Sequence, residues 1–385
     1  MKNIQLLNKI AKVGTDCLDP AVYNIGTEVE APEGIMVRSA KMHEMTFNKE
    51  LLAVARAGAG VNNIPVDRCA EEGIVVFNTP GANANGVKEL AICALFLASR
   101  KIVDGVNWAK GLVGTADVAK QVEAGKSQFG GTEIQGKTLG VIGLGAIGGM
   151  VANAAVKLGM KVIGFDPYLS DKAAAMLDKS IVITSKVEEI FTDSDYITVH
   201  APLTDSTKNI VNKDTLAMAK DGIRVLNFAR GGLVDDNAIV EAIESGKCAA
   251  YATDFPTDAQ LGLDGVIALP HLGASTPESE ENCAVMAVNQ IAEYLEKGNV
   301  VNSVNLPCVS KELADGNKRL TVITKGDVSE AVFAALAKAG IAVDDSTAAI
   351  RKDAGYVIVD AADITDDALA AVKAVEGVIC TRVIG

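Results

Sequence analysis

The sequence is poor in aromatic residues and in positive charge. Aromatic side chains make up 4 % of the 385 residues, and the formal net charge is −13. Nucleic-acid binding depends on an excess of Lys and Arg and on aromatic platforms for the bases. We therefore expect no nucleic-acid partner. The same negative balance opposes docking on an anionic membrane surface.

Long apolar runs and paired cysteines are also missing. No stretch reaches the roughly 18 apolar residues of a membrane span, and the first residues lack the apolar core of a signal peptide. The seven cysteines are scattered, with no C-x-x-C pair and no histidine at metal-ligand spacing. They predict reduced, mostly buried thiols in a soluble cytoplasmic protein that has no membrane partner and no metal site.

The hydrophobic content of 49 % is enough for two or three folded domains. Between residues 137 and 269, short β-branched runs alternate with helical patterns, as is typical of a parallel sheet covered by helices. The first 95 residues repeat this alternation more weakly, and a long helical pattern at 273–299 is expected to return the chain to that first unit. Residues 318–385 read as strand, helix, strand, strand, helix, strand, a ferredoxin-like module.

The stretch VIGLGAIGG (141–149) contains glycines at 143, 145 and 148, between a predicted strand and a predicted helix. Gly143 allows the tight turn, Gly145 leaves room for a pyrophosphate, and Gly148 allows close packing of helix on strand. The next predicted strand ends at Asp166, whose carboxylate can accept hydrogen bonds from ribose hydroxyls and would repel a 2′-phosphate. This arrangement predicts an NAD site in a Rossmann-type domain.

Four further stretches resemble the D-isomer-specific 2-hydroxyacid dehydrogenase family: RAGAGVNNI (56–64), LNFARGGLVDDNAI (226–239), ATDF (252–255) and PHLGAST (270–276). The resemblance implies a flavodoxin-like substrate domain that is split by the inserted nucleotide domain. We therefore predict an α/β protein with a substrate domain at 1–95 and 284–308, an NAD-binding domain at 96–283, and a tail at 318–385 that resembles an ACT domain.

The family resemblance also implies the catalytic residues. Arg230 would hold the substrate carboxylate and polarise the carbonyl, since its planar fork suits such oxygens. His271 would be the acid/base, because the histidine pKa lies near working pH. Family members pair this histidine with a Glu, which the sequence DFPTDAQLG lacks. If this loop is one residue shorter than in the family, Asp258 stands at the position of the Glu and could fill its role. Otherwise the role is vacant.

The remaining site residues are implied by the resemblance alone. The loop residues Ala146 and Ile147 would contact the cofactor, together with Thr79, Ala201, Phe228, Ala229, Arg230, Asp254, His271 and Gly273. Substrate contacts would come from Arg38, Ser39, Arg56, Gly58 and Val61. Two arginines on cleft loops of an acidic protein suggest capture of an anion, and we expect a phosphorylated 2-hydroxy acid as substrate.

Two alternatives stay open at this point. The chain could be another dehydrogenase of the family, acting on hydroxypyruvate or glyoxylate, although the ACT-like tail argues against this. It could also resemble the NAD-binding transcriptional corepressors that share the fold, although no basic or peptide-docking surface is evident. We expect a homodimer or homotetramer. Because Thr324 and Gly326 replace the His and Asn of the usual serine-binding loop, we expect the tail to serve in assembly.

Overall fold

The computed structural model describes residues 1–385 and contains three sheets, of five, seven and four strands. The chain divides into two compact units, Met1–Ala82 with Pro277–Gly385 and Asn83–Thr276. The first unit boundary, between Ala82 and Asn83, falls before α3 (Ala84–Ser99), whereas the sequence-based boundary at residue 95 falls inside this helix. The reason is that α3 packs as a whole against helix and strand residues of the second unit. The three-domain division itself stays a prediction.

The five-stranded sheet of the first unit is entirely parallel, with the flavodoxin-like strand order β2-β1-β3-β4-β5. Its central strands are rich in buried Val, Ile and Ala, as expected for a sheet covered on both faces. Its elements are β1 (Lys2–Leu6), α1 (Lys12–Thr15), β2 (Tyr23–Gly26), β3 (Gly34–Val37), β4 (Ala53–Arg56), α2 (Val66–Glu71) and β5 (Val75–Phe77).

The seven-stranded sheet of the second unit is also entirely parallel. Its elements after α3 are α4 (Ile102–Lys110), α5 (Val118–Gly125), β6 (Thr138–Ile142), α6 (Ala146–Lys157), β7 (Lys161–Phe165), α7 (Asp171–Ala174), β8 (Val182–Thr184), α8 (Val187–Asp193), β9 (Tyr196–Val199), α9 (Lys213–Met218), β10 (Ile223–Asn227), α10 (Asp236–Glu244), β11 (Cys248–Thr253) and β12 (Val266–Ala268). The strand order is β8-β7-β6-β9-β10-β11-β12, so the direction of winding reverses between β6 and β9. The predicted Rossmann-type sheet is confirmed, and ligands of such sheets bind at this reversal point.

The long helix α11 (Pro277–Lys297) belongs to the first unit. Its apolar side chains at Ala284, Ala287, Val288 and Ile291 are buried in one cluster with residues of the five-stranded sheet. The spacing of three and four residues places them on one helix face. Burial of this face against the five-stranded sheet brings the chain back to the first unit after residue 276.

The tail contains β13 (Lys318–Lys325), α12 (Ser329–Lys338), β14 (Asp345–Arg351), β15 (Ala354–Ala361), α13 (Asp366–Lys373) and β16 (Val378–Ile384). These strands form a separate antiparallel sheet of order β14-β15-β13-β16, the predicted ferredoxin-like topology. The buried side chains Ile323, Tyr356 and Ile358 join the core cluster of the first unit. The tail therefore shares a hydrophobic core with the five-stranded sheet and α11.

The cysteines are less buried than predicted. Cys69, Cys248 and Cys283 are buried, but Cys17, Cys93 and Cys308 are exposed. The prediction of mostly buried thiols is wrong for these three, because Cys93 lies on the outer face of α3 and the other two lie outside regular elements. No helix combines the length and the apolar character needed to cross a bilayer.

Candidate active site

The glycine loop lies between β6 and α6, at the carboxyl end of the seven-stranded sheet. A Cβ atom on Gly148 would lie 1.8 Å from the carbonyl oxygen of Gly143, which itself has φ +90°. Both glycines are therefore required by packing and backbone conformation. A Cβ on Gly145 would meet nothing within 4 Å, so this side of the loop is open. No side chain caps α6, and its first N–H groups are left for an anion.

Asp166 follows β7, the strand next to β6. Its carboxylate accepts hydrogen bonds from the backbone N–H groups of Leu144 and Tyr168, both at 2.9 Å. Because Leu144 is part of the glycine loop, these bonds hold the carboxylate beside it. The oxygens keep lone pairs free for further donors, such as a vicinal diol. The residues present thus fit the pyrophosphate and the ribose of a dinucleotide.

His200 is a residue of this loop region to which sequence reasoning assigned no role. It follows β9, and a Cβ on Gly143 would lie 2.8 Å from its backbone carbonyl, so it forms the wall behind the glycine loop. Its Nε2 lies 2.9 Å from Thr198 Oγ1, while its buried Nδ1 has no partner. Burial lowers the pKa of His200 to about 4, which leaves the ring neutral at physiological pH.

This lowered pKa predicts a dependence of stability on pH. As pH falls below 6.5, the ordinary histidine pKa, the unfolded chain binds a proton at His200 before the folded chain does. The stabilising contribution is therefore complete above this pH and is lost as pH falls toward 4. We expect the unfolding free energy to fall by roughly 1.4 kcal/mol per pH unit between about pH 6 and about pH 5.

Urea denaturation should show this slope, and His200→Gln should reduce it, whereas exchange of the exposed His43 for Gln should leave it unchanged. Equal slopes in all three proteins would contradict the assignment.

Arg230 lies in the loop after β10. Asn227 fixes this loop, because its amide donates to the carbonyl of Arg230 at 2.9 Å and its Oδ1 accepts from the N–H of Ala229 at 3.2 Å. The Arg230 side chain is exposed, and its Nη1 donates to the Ala229 carbonyl at 2.7 Å. No carboxylate forms an ion pair with it. The guanidinium keeps donors for a ligand.

Asp254 follows β11, the strand next to β10, and His271 follows β12, the edge strand next to β11. Asp254 is only 3 % exposed, and neither of its carboxylate oxygens has a hydrogen-bond partner. Burial raises the pKa of Asp254, while the positive charges of His271 and Arg230 oppose this change. His271 is exposed, and its ring centroid lies 4.6 Å from that of Phe255. Three of the predicted residues, Arg230, Asp254 and His271, thus each follow one of three adjacent strands at the same edge of the sheet.

Asp258 is joined to His271 by no hydrogen bond or ion pair. It is exposed and takes part in no hydrogen bond or ion pair. Gln260 anchors the loop, since its Nε2 donates to Asp236 Oδ1 at 2.9 Å and its Oε1 accepts from the N–H of Thr257. This anchor leaves Asp258 at the outer turn of the loop. Its catalytic role stays a prediction, and Asp254 is the carboxyl group near the histidine.

The predicted substrate residues lie in the first unit, at or after the ends of the adjacent strands β3 and β4. Asn8 Oδ1 accepts the N–H groups of Arg38 and Ser39, both at 3.0 Å, and so shapes this loop. Arg38 Nη2 forms an ion pair of 2.6 Å with Glu280, a partner that sequence reasoning missed. Gly58 has φ +145°, and a Cβ there would lie 1.5 Å from Arg56 Nη1. A glycine is therefore required for the Arg56 side chain to adopt its position.

The other predicted cofactor residues differ in what they can offer a ligand. Phe228 has its side chain in the core of the second unit, so only its backbone could contact a cofactor. Gly273 lies near Asp254, since a Cβ on it would be 3.8 Å from Oδ2. Thr79 is buried with its hydroxyl unpartnered. Ala146, Ile147, Ala201 and Ala229 present backbone or apolar groups only, as does Val61 among the predicted substrate residues.

Comparisons with known proteins show the family to which the chain is similar. Residues 105–273 match the family model described as D-isomer specific 2-hydroxyacid dehydrogenase, NAD binding domain. The chain is 37 % identical over 297 residues to D-3-phosphoglycerate dehydrogenase of Bacillus subtilis. The aligned region covers 74 % of this chain and 54 % of the relative. It is 34 % identical over 360 residues to D-3-phosphoglycerate dehydrogenase of Synechocystis sp., covering 85 % and 62 %. The chain thus spans little more than half the length of these curated relatives.

A solved structure shows the same likeness. The structure of NAD⁺-bound 3-phosphoglycerate dehydrogenase from Entamoeba histolytica superposes with a TM-score of 0.62 at 25 % identity, covering 79 % of this chain and 98 % of that one. The chain belongs to the D-isomer-specific 2-hydroxyacid dehydrogenase family. Its seven-stranded unit contains the NAD-binding domain of that family.

Proposed function

We propose that the protein oxidises D-3-phosphoglycerate to 3-phosphohydroxypyruvate with NAD⁺. The observation that carries this proposal is the convergence of Arg230, Asp254 and His271 after three adjacent strands of the NAD-binding sheet. A cation, a buried carboxyl group and an imidazole are the groups that interconversion of a hydroxy acid and a keto acid needs. The names of the curated relatives support this particular substrate.

In this mechanism the neutral His271 accepts the proton of the substrate hydroxyl as C2 is oxidised. Arg230 holds the carboxylate and stabilises the negative charge that develops on the C2 oxygen. Bound NAD⁺ supplies the hydride acceptor. Asp254, when ionised, stabilises the imidazolium that forms at His271. In the reverse direction the same histidine returns its proton to the oxygen.

Arg38 and Arg56 are proposed to bind the anionic groups of the substrate. Arg56 is positioned by the close approach of Gly58, and Arg38 must exchange its ion pair with Glu280 for a ligand. Both side chains offer bidentate donors to phosphate or carboxylate. This pair of arginines is the reason to prefer a phosphorylated substrate.

Steady-state oxidation of NADH tests the proposal. We expect 3-phosphohydroxypyruvate to give a higher kcat/KM than hydroxypyruvate, glyoxylate or 2-oxoglutarate. Removal of the phosphate removes a charge-assisted contact worth about 1.5–3 kcal/mol, so the difference should be about tenfold or more. Equal or better turnover of glyoxylate or hydroxypyruvate would instead indicate another dehydrogenase of the family. Absence of turnover with every keto acid would support the corepressor-like alternative.

A pair of variants tests which carboxyl group assists His271. A carboxylate beside the imidazole stabilises the imidazolium that forms during hydride transfer, so its loss should lower kcat for oxidation. We expect Asp254→Asn to lower kcat about tenfold or more and Asp258→Asn to leave it nearly unchanged. Turnover of both variants with saturating NAD⁺ and substrate provides the measurement. A loss of kcat in Asp258→Asn alone would restore the sequence-based assignment.

We further propose that the protein is a homodimer or a higher homo-oligomer. The helices α4 and α5 bury none of their residues within the chain, and Val103, Val106, Val118 and Val122 are between 39 % and 48 % exposed. Such an apolar surface is typical of a subunit interface. Light scattering should give at least twice the chain mass, and Val106→Glu with Val122→Glu should reduce it. The exposed Val182, exchanged for Glu, is the control; an unchanged mass in the double variant would place the interface elsewhere.

A further inference from the structure

Three polar side chains are buried at the carboxyl ends of β10 and β11, directly before the loops that carry Arg230 and Phe255. Asn227 is the last residue of β10, and Thr253 is the last residue of β11. These two residues are register partners in the parallel sheet, and Tyr251 stands two positions before Thr253. All three side chains therefore lie on one face of the sheet. None of them is more than 2 % exposed, so each needs hydrogen-bond partners inside the protein.

Two of these side chains bond directly to the loops of the candidate active site. The Asn227 amide donates to the carbonyl of Arg230 at 2.9 Å. On the next strand, Thr253 Oγ1 accepts the N–H of Phe255 at 3.0 Å. The Phe255 ring contacts the imidazole of His271, with the two ring centroids 4.6 Å apart. One buried side chain thus holds the arginine loop, and another holds the aromatic ring that packs on the histidine.

The Tyr251 hydroxyl joins these two side chains to each other. Burial raises the pKa of this phenol to about 12, and side-chain hydrogen bonds with Thr253 and Asn227 oppose that change. A threonine hydroxyl can accept from the Phe255 N–H and donate to the phenol oxygen at the same time. The Asn227 amide has two N–H groups, one for the Arg230 carbonyl and one for the phenol. The bonds form one connected network, which is more rigid than separate pairs.

We propose that Tyr251 and Thr253 are positioning residues, which fix the loop of Arg230 and the aromatic contact of His271 relative to each other. This inference rests on the proposed function, in which Arg230 and His271 act on one substrate. Both hydroxyls are buried, so they act through Asn227 and through the loops and do not touch the reacting atoms. A guanidinium and an imidazole that act on the same carbon must be placed to a fraction of an ångström, and a network on two rigid strands supplies that precision.

The NMR signal of the His271 ring tests the positioning without any need for turnover. The chain has only three histidines, so isotope-labelled histidine gives three ring signals, and His271→Gln identifies the relevant one. Because the Phe255 ring lies against this imidazole, a movement of either ring changes the chemical shift. We expect Tyr251→Phe and Thr253→Val to move the His271 signal by more than its linewidth. Thr253→Ser keeps the hydroxyl and should leave the signal in place.

Kinetics measure the consequence for catalysis, with the keto acid that the parent protein turns over fastest. Thr253→Val should lower kcat about tenfold, because the Phe255 N–H and the Tyr251 phenol each lose a partner, while Thr253→Ser should stay within about twofold of the parent. The Kd of NADH should not change in either variant. The matched control is Tyr196→Phe, which removes a buried hydroxyl that bonds to Ser99 at 2.8 Å, away from both loops. It should leave kcat and the His271 signal unchanged.

The two measurements separate this inference from the proposed function. An unmoved His271 signal, or a normal kcat, in both Tyr251→Phe and Thr253→Val would overturn the positioning role. Equal losses in Tyr196→Phe would also overturn it, because they would show a general effect of lower stability. If the parent protein turned over no keto acid, the proposed function would fail, and the NMR comparison alone would decide whether the two hydroxyls hold the contact of His271.

Discussion

Replacement of His271 by alanine is expected to lower kcat about 10²–10³-fold in both directions. The imidazole follows β12, and its charge acts on the buried Asp254, as does that of Arg230. Without it, no other histidine of the second unit can move the proton, because His200 is enclosed behind the glycine loop. Steady-state kinetics with saturating NADH and keto acid give the measurement.

The same variant should bind NADH almost normally. The glycine loop and Asp166 make their contacts within their own loops and do not depend on the imidazole. Fluorescence titration of NADH separates a lost proton transfer from a lost cofactor site. His43→Ala is the matched control, since this exposed histidine lies in a different unit and should leave kcat unchanged. If His271→Ala retained near-normal kcat, the acid/base would have to be another group.

Features that depend on short stretches of sequence were predictable. The glycine loop could be identified because its strand, turn and helix lie within about 25 residues, and each glycine has a local steric reason. The alternation of short β-branched runs with helical patterns likewise predicted a parallel sheet covered by helices. Arg230 and His271 stand directly after strands, so the parallel sheet brings them to one edge.

Features that depend on distant partners were not predictable. Nothing near Asp258 in the sequence shows that the neighbouring Gln260 hydrogen-bonds Asp236, 24 residues earlier in the chain. Arg38 is joined to Glu280, which lies far along the chain. The merging of the tail with the first unit depends on Tyr356 and Arg319, whose partners lie in α11 and the segment after it. Local pattern identifies an element, but only tertiary packing decides which side chains meet.

Replacement of Arg319 by alanine is expected to reduce the unfolding free energy by about 3–5 kcal/mol. Arg319 is fully buried and forms a bidentate ion pair with the buried Asp360, at 2.7 and 2.8 Å. Its Nη1 also donates to the carbonyls of Lys297 and Lys311, at 2.8 and 2.9 Å. The alanine variant would leave the Asp360 carboxylate charged, buried and unpaired. It would also remove the hydrogen bonds that join the tail to the end of α11 and to the segment after it.

The neighbouring Lys318 provides the control for this prediction. It lies on the same strand and forms an exposed ion pair of 2.7 Å with Asp363, so Lys318→Ala should cost less than about 1 kcal/mol. The double variant Arg319→Met with Asp360→Leu should recover most of the lost stability, because it removes the unpaired charge and keeps the volume. Denaturant titration of the three proteins should show one cooperative transition each, since the tail shares its core with the first unit. A loss of less than about 1 kcal/mol in Arg319→Ala would mean that water reaches Asp360 and that the ion pair does not hold the tail in place.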